Sequence, residues 1–503
     1  MESLAECGGV AISGTAFDQV KRKTKLGFEY LGEHSVKNIS EPVRVYRILM
    51  APEYAGKLLS GKKSVGKSYY KIFTIGFIAA LAGVILIYQF AFRESLERAS
   101  IENMAYSLPK DKPSIAVLPF DNLTGDSQQE YFCDGLTEEI ISSLSQVPAV
   151  FVIARNSTFT YKDKPVKAQK VSEELGVQYI LEGSVRKSED HVRITAQLID
   201  ALSGKHVWAE TYDKKLTDIF SIQDSITFNI LAALQVKLSK DESTGSCSRG
   251  TKNIKAYLKV LQAVEHIYSG NSEGLSLARE LYEAAIELDP NYSTAYSLLA
   301  WTHMLDVVLG GSKTPKENLG KAYQFTQKAL SLNPSCSLPQ LTLSYFYLIK
   351  KDQTKAVEAC EKALQFDPNY SIAYAQLGSN LLYAGRSKEA IQPIEKAFRL
   401  NPKPPPFFYL YAGHIYYHNG MLEKAVTYLN EALKKSPNYL TVIMLLAASY
   451  SSQGLNEKAH LEIKKAIQIF PGLSVAYIAA SYPFKNKSDL DRLLNDLQKA
   501  GLK

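Results

Sequence analysis

Proline recurs at a fixed step through the second half of this chain. It stands at Pro290, Pro334, Pro368, Pro402, Pro437 and Pro471, so the steps are 44, 34, 34, 35 and 34 residues. Alanine follows the same beat. One lies five residues before each proline (Ala285, Ala329, Ala363, Ala397, Ala432, Ala466) and another twelve before (Ala278, Ala322, Ala356, Ala390, Ala425, Ala459). Proline ends a helix because it has no N–H to donate and disfavours helical backbone in the residue before it. Small residues at these spacings let paired helices approach closely. A unit of this length cannot bury its apolar face alone, so the pattern predicts stacked helix pairs with a concave inner surface. The excess in the first step reads as a loop, VLGGSKTPKE. Six units and a capping helix over 488–500 fit within residues 253–501.

The 34-residue period is identified with tetratricopeptide (TPR) repeats, and Leu377-Gly378, Ala412-Gly413 and Leu446-Ala447 fill matching positions in the first helices. The resemblance implies a groove lined by first-helix residues. These are Leu338, Leu341, Tyr345 and Leu348 in one repeat, and Ile372 and Tyr383 in the next. Phe407, Leu410, His414, Tyr417 and His418 follow in a third, and Met444 in a fourth. The surface is apolar and aromatic rather than basic, and lacks the Lys/Asn clamp some TPR proteins use for a peptide carboxylate. An apolar helix or extended peptide is the expected guest, and nucleic acid is not. The alternative is that some of these residues pack on the next repeat or on the α/β domain of residues 112–240. His414 and His418 are four apart on one helix, but no third ligand or general-base Glu accompanies them, so no metal is expected.

Residues 72–92, IFTIGFIAALAGVILIYQFAF, hold no charge. At 1.5 Å per residue they span roughly 32 Å, the length of a transmembrane helix. Residues 1–71 carry 12 Lys+Arg against 7 Asp+Glu, whereas residues 93–503 carry 46 against 44. The positive-inside rule then predicts a single-pass protein of a bacterial inner membrane, with a cytoplasmic N-terminus and periplasmic C-terminal domains. The segment 51–71 is its basic flank, and 93–111 a juxtamembrane helix and linker. Five cysteines form no CxxC pair, so zinc and redox motifs are unsupported, while one bridge such as Cys336–Cys360 stays open.

GKKSVGKS, residues 61–68, fits the phosphate-loop pattern G-x-x-x-x-G-K-[ST]. A working phosphate loop follows a buried strand and opens a helix of an α/β sheet. Only Leu58 and Leu59 precede this one, which reads as no strand, and the apolar run follows it. The lysines are read as membrane flank.

Residues 1–50 predict a strand at VAIS, a helix from Thr15, and an antiparallel pair from FEYLGEHSV and EPVRVYRIL. The run GGVAISGTAFDQV … LGEHSVKNISEPVRVYR resembles the C-terminal end of class III adenylate/guanylate cyclase catalytic domains. It covers about the last quarter of such a domain. In that family the metal-binding aspartates, the base-recognising pair and the N-x-x-x-R element lie upstream. Lys37 stands where the family has a phosphate-contacting lysine, though the reading favoured by the residues is an exposed strand-end lysine. The resemblance therefore implies no cofactor for this chain, with Mg²⁺ and a homodimer expected only in a complete cyclase.

Residues 112–240 alternate strand and helix: SIAVLPF (114–120), a helix over 131–146, VFVIAR (150–155), a helix over 166–176, three strands within 177–215, and a helix over 217–238. Through IAVLPFDN, FCDGLTEEII and YILEGSVR this stretch resembles the TolB N-terminal-like domain. Asp134, Glu138 and Glu139 read as carboxylates favouring a helix N-terminus rather than as metal ligands. His191 and His206 lack partners at ligand spacing.

The expected fold is mainly α: a TPR α-solenoid preceded by a small α/β (TolB-like) domain, one transmembrane helix and an α+β cyclase-domain fragment. The expected function is the sensor or scaffold part of a receptor-type adenylate cyclase, binding protein or peptide in the solenoid and incapable of catalysis. Two other readings fit: a truncated form of an active transmembrane adenylate cyclase making cyclic AMP from ATP, and the sensor half of a membrane-anchored transcription regulator.

Overall fold

A computed structural model describes residues 9–35, 41–60, 112–236, 250–267, 272–308 and 310–503. The chain divides into two compact units, residues 1–93 and 94–503.

In the first unit, β1 (Val10–Ser13) leads into α1 (Gly14–Val20), capped by Ser13 Oγ accepting from Ala16 N at 3.3 Å. β2 (Gly27–His34) and β3 (Val43–Leu49) pair antiparallel, and the sheet order is β1-β3-β2-β4. The core is small: Phe17 stacks on Tyr46 at 3.9 Å and meets Phe28 edge-on at 5.0 Å. β4 (Leu58–Ser60) corrects the sequence reading that no strand precedes GKKSVGKS. It pairs parallel to β2, whose outer edge would otherwise leave its backbone groups unpaired. It is exposed throughout, unlike the buried strand a phosphate loop needs.

The second unit opens on a sheet of order β10-β9-β8-β5-β7. β5 (Ser114–Val117) and the two-residue β6 (Asp121–Asn122) precede α2 (Glu130–Ser145). β7 is only Phe151–Val152, because Arg155 already opens the short α3 (Arg155–Thr158). α4 (Ala168–Leu175) ends at Gly176, whose φ of 63° supplies the left-handed cap. The hairpin strands β8 (Tyr179–Ser188), β9 (His191–Asp200) and β10 (Lys205–Lys215) lead to α5 (Ile219–Ala233).

Six helix pairs follow among the described residues. They are α6 (Ile254–Ile267) with α7 (Ser272–Leu288), α8 (Ser293–Val308) with α9 (Pro315–Leu332), and α10 (Ser337–Ile349) with α11 (Gln353–Phe366). Then come α12 (Ser371–Tyr383) with α13 (Ile391–Leu400), α14 (Pro406–His418) with α15 (Leu422–Lys435), and α16 (Leu440–Ser452) with α17 (Asn456–Ile469). All twelve periodic alanines are fully buried. The six that precede a proline by five accept the last backbone bond of their helix, as in Asn333 N to Ala329 O at 2.8 Å and Ser436 N to Ala432 O at 2.9 Å. The next residue then leaves helical geometry, with Asp367 at φ −137°, ψ 91°, as a following proline demands. α18 (Val475–Ser481) and α19 (Lys487–Lys499) close the chain.

The membrane placement is corrected. Among the described residues no helix is long and apolar enough to cross a membrane. The helices are amphipathic or short, and α9, of 18 residues, carries Lys316, Glu317, Lys321 and Lys328. The apolar run 72–92, GKKSVGKS and Lys37 lie outside the described residues. Cys133, Cys336 and Cys360 form no disulfide, so no Cys336–Cys360 bridge forms. Cys360 contacts Ser344 Oγ at 3.0 Å instead, and burial pushes its thiol up to about 12.

Candidate functional site: the solenoid groove and its contacts

The α/β layer and the solenoid share one packed interface; packing of first-helix groove residues on that layer is one expectation from the sequence, and the contact is made instead by α6 and the turns between repeats. α6 packs against α2 through Tyr257 and Leu261, and a Cβ at Gly135 would sit 2.5 Å from Leu261 Cδ2, so only glycine allows that approach. Further along, the turns between repeats dock on the same layer. Asn369 Nδ2 donates to Ser145 O at 2.9 Å and Val150 O at 3.0 Å. Ala154 N reaches Leu400 O at 2.8 Å, and Ser157 Oγ reaches Asn401 Oδ1 at 2.6 Å. Lys403 Nζ bridges Tyr161 OH and Glu174 Oε2, both at 2.8 Å, and holds the Glu174 carboxyl below its ordinary range. The Asp/Asn-Pro period carried part of this signal, since Asp367 and Asn401 are two of its members.

The acids singled out in the α/β layer are structural. α2 begins at Glu130, so Asp134 lies past the first turn, not at the helix end. It pairs with Lys162 at 2.7 Å, while Glu138 meets Arg155 at 3.2 Å. His191 pairs with Asp190, and His206 is exposed. Among the described residues no cluster of three or more His, Cys, Asp or Glu could hold a metal ion. In the first unit Asp18 is paired with Lys21 and Arg44, and Glu29 with Arg47.

The expected groove residues split into two groups. Leu341 and Tyr345 are buried between repeats, and Tyr345 meets Trp301 edge-on at 5.4 Å. Leu410 and Met444 are buried in the same core; Leu338, Leu348, Ile372 and Phe407 are half-buried. The second group comes together under the end of the chain. Tyr383, His414, Tyr417 and His418 face Tyr482, Phe484, Arg492 and Asp496. The Phe484 ring lies 5.0 Å from both Tyr383 and His418, and Tyr417 OH donates to Asp496 Oδ2 at 2.7 Å. Burial lowers the pKa of His414 well below its usual range. Burial, with Arg492 nearby, brings His418 to about 3. Both imidazoles are therefore neutral at physiological pH. The groove is not open: the C-terminal segment folds back over it rather than extending the stack.

Family models for the tetratricopeptide repeat match residues 340–370, 372–404 and 406–439. The solenoid is built of tetratricopeptide repeats. Residues 110–228 match the model described as HilA/YgeH-like transcriptional regulator, second domain. The chain is 36% identical over 338 residues to "Putative adenylate cyclase 3" of Rhizobium meliloti (strain 1021), covering 67% of this chain and 50% of that protein. It therefore spans about half the length of that relative. Among solved structures, YrrB, "a TPR protein with an unusual peptide-binding site", is 23% identical, with 38% of this chain and 93% of that chain covered and a TM-score of 0.29. A thermophilic TPR protein from Thermus thermophilus, TTC0263, is 18% identical, with 39% and 98% covered and a TM-score of 0.31.

Proposed function

We propose that the chain is a TPR scaffold acting as the regulatory, protein-binding part of a signalling protein of the adenylate cyclase kind. The observation that carries this is the relative named adenylate cyclase, joined to a repeat solenoid whose inner face gathers aromatic side chains from successive first helices. A concave repeat surface binds extended or helical segments of other proteins.

The match of residues 110–228 to a transcriptional-regulator domain supports a second reading, in which the same α/β layer and solenoid regulate a DNA-binding partner domain. The two are separated on the full chain. With Mg·ATP or Mn·ATP the first reading expects no cyclic AMP above the blank and no shift of duplex DNA. Steady cyclic AMP formation would contradict the regulatory reading, and a sequence-dependent DNA shift that appears only when a DNA-binding partner is added to the chain would favour the second.

A further inference from the structure

After Pro471 the chain stops adding helix pairs and turns back across the first helices. The run Tyr482-Pro483-Phe484-Lys485-Asn486 is extended between α18 and α19. It crosses the C-terminal ends of α10, α12 and α14 in order. Lys351 Nζ donates to Ala480 O at 2.9 Å and Gln353 Nε2 to Pro483 O at 2.6 Å. Lys485 N donates to Tyr383 O at 2.8 Å. These bonds read main-chain atoms, the way a groove reads an extended peptide.

α19 then docks by two charges one turn apart. Arg492 donates to Tyr417 O and His418 O, both at 3.1 Å, placing a cation on the last carbonyls of α14, where the helix dipole is negative. Asp496 accepts from Tyr417 OH and from Ser452 Oγ.

The contact is imperfect in a specific way. His414 Nε2, His418 Nε2, Ser451 Oγ and Tyr482 OH are buried with no hydrogen-bond partner among the described residues. Each unpaired buried polar atom weakens the contact relative to a guest that could pair it. The strap is held by apolar packing, with Ile478, Leu493, Leu497, Ala500 and Leu502 buried in the solenoid core, and by its tether, which gives it a high local concentration.

We infer that residues 474–503 are a displaceable ligand of the chain's own groove. The external partner they stand in for is a protein segment of the same chemistry: an extended aromatic–proline–aromatic run leading into a helix with arginine and aspartate one turn apart. Such a partner gains over the strap if it brings polar groups to His414 and His418. The inference rests on the solenoid being protein-binding and adds that the site is self-occupied until a competitor arrives.

The test uses the full chain and a labelled synthetic peptide of residues 474–503. Phe484→Ala weakens the tethered strap and leaves the groove intact. It should bind the peptide about tenfold or more tighter than the unaltered chain, because less competition remains. Adding Tyr417→Phe should return that gain by removing the hydroxyl that meets Asp496 of the peptide. In hydrogen exchange on the unaltered chain, α19 should open as a unit well before α16. Equal peptide binding by the unaltered and Phe484→Ala chains, or α19 amides as protected as those of α16, would overturn the inference. If Phe484→Ala does not fold, the exchange experiment decides alone. A strap that opens early and rebinds as peptide, while no foreign protein reaches the groove, would sink the scaffold reading and leave the strap standing.

Discussion

Asp367 shows how the repeat sequence doubles as a docking device. Its Oδ1 accepts from Asn369 N at 3.1 Å, the turn bond that Asp289 and Asn333 also make in their own repeats. Its Oδ2 lies 3.0 Å from Ser145 Oγ in the α/β layer, and Ser145 also donates to Ser142 O at 2.9 Å. One hydroxyl proton cannot serve both acceptors, so a protonated Asp367 completes the network. Burial accordingly raises its carboxyl to about 7. A raised acid stabilises the fold fully below its ordinary value near 3.8, and that stability is lost as pH rises through about 7. Asp367→Asn supplies the same donor at every pH. Its melting temperature should exceed that of the unaltered chain by roughly 2–4 °C at pH 8, with the difference vanishing near pH 4. Thermal melts at the two pH values check this; a variant destabilised at both would show that the ionised form is the bonded one. None of this was legible in the sequence, where Asp367 is one of several interchangeable Asp/Asn residues before proline.

At the scale of elements, the solenoid was legible because its physics is local and repeated. The proline spacing fixed where helices end, and the alanine spacing fixed which faces meet. The α/β layer was legible where strands are long, as in β8 to β10. It failed at VFVIAR, where tertiary contacts leave only Phe151–Val152 as strand and the following residues turn to meet Leu400. The GKKSVGKS context failed for a similar reason: β4 exists only because β2 offers it an edge. The residues expected at the groove lie on first helices. Periodicity could not reveal that the chain's own end covers several of them, since that depends on a single non-repeating segment. The residues that make the layer-to-solenoid contact were likewise invisible, and that contact is testable. Asn369→Ala strips partners from the buried carbonyls of Ser145 and Val150 and from Val152 N. The expected loss is about 3 kcal/mol in chemical denaturation. A change within about 0.5 kcal/mol, the range of an inconsequential surface substitution, would show that the two layers are held by apolar packing alone.

For the whole molecule, residues 112–503 form an α/β layer fused along one side of a repeat solenoid, with a groove on its inner face. A repeat frame of this kind presents a concave surface suited to binding protein or peptide. The most direct check of that claim is to place a photo-reactive benzoylphenylalanine at Leu338 or Ile372 in the groove, and at Glu358 or Lys464 on exposed second-helix faces, in cells that make the full chain. The account predicts a shared foreign protein adduct from both groove positions and none from the outer pair. Adducts that are the same from both faces, or that arise only from the outer positions, would contradict it.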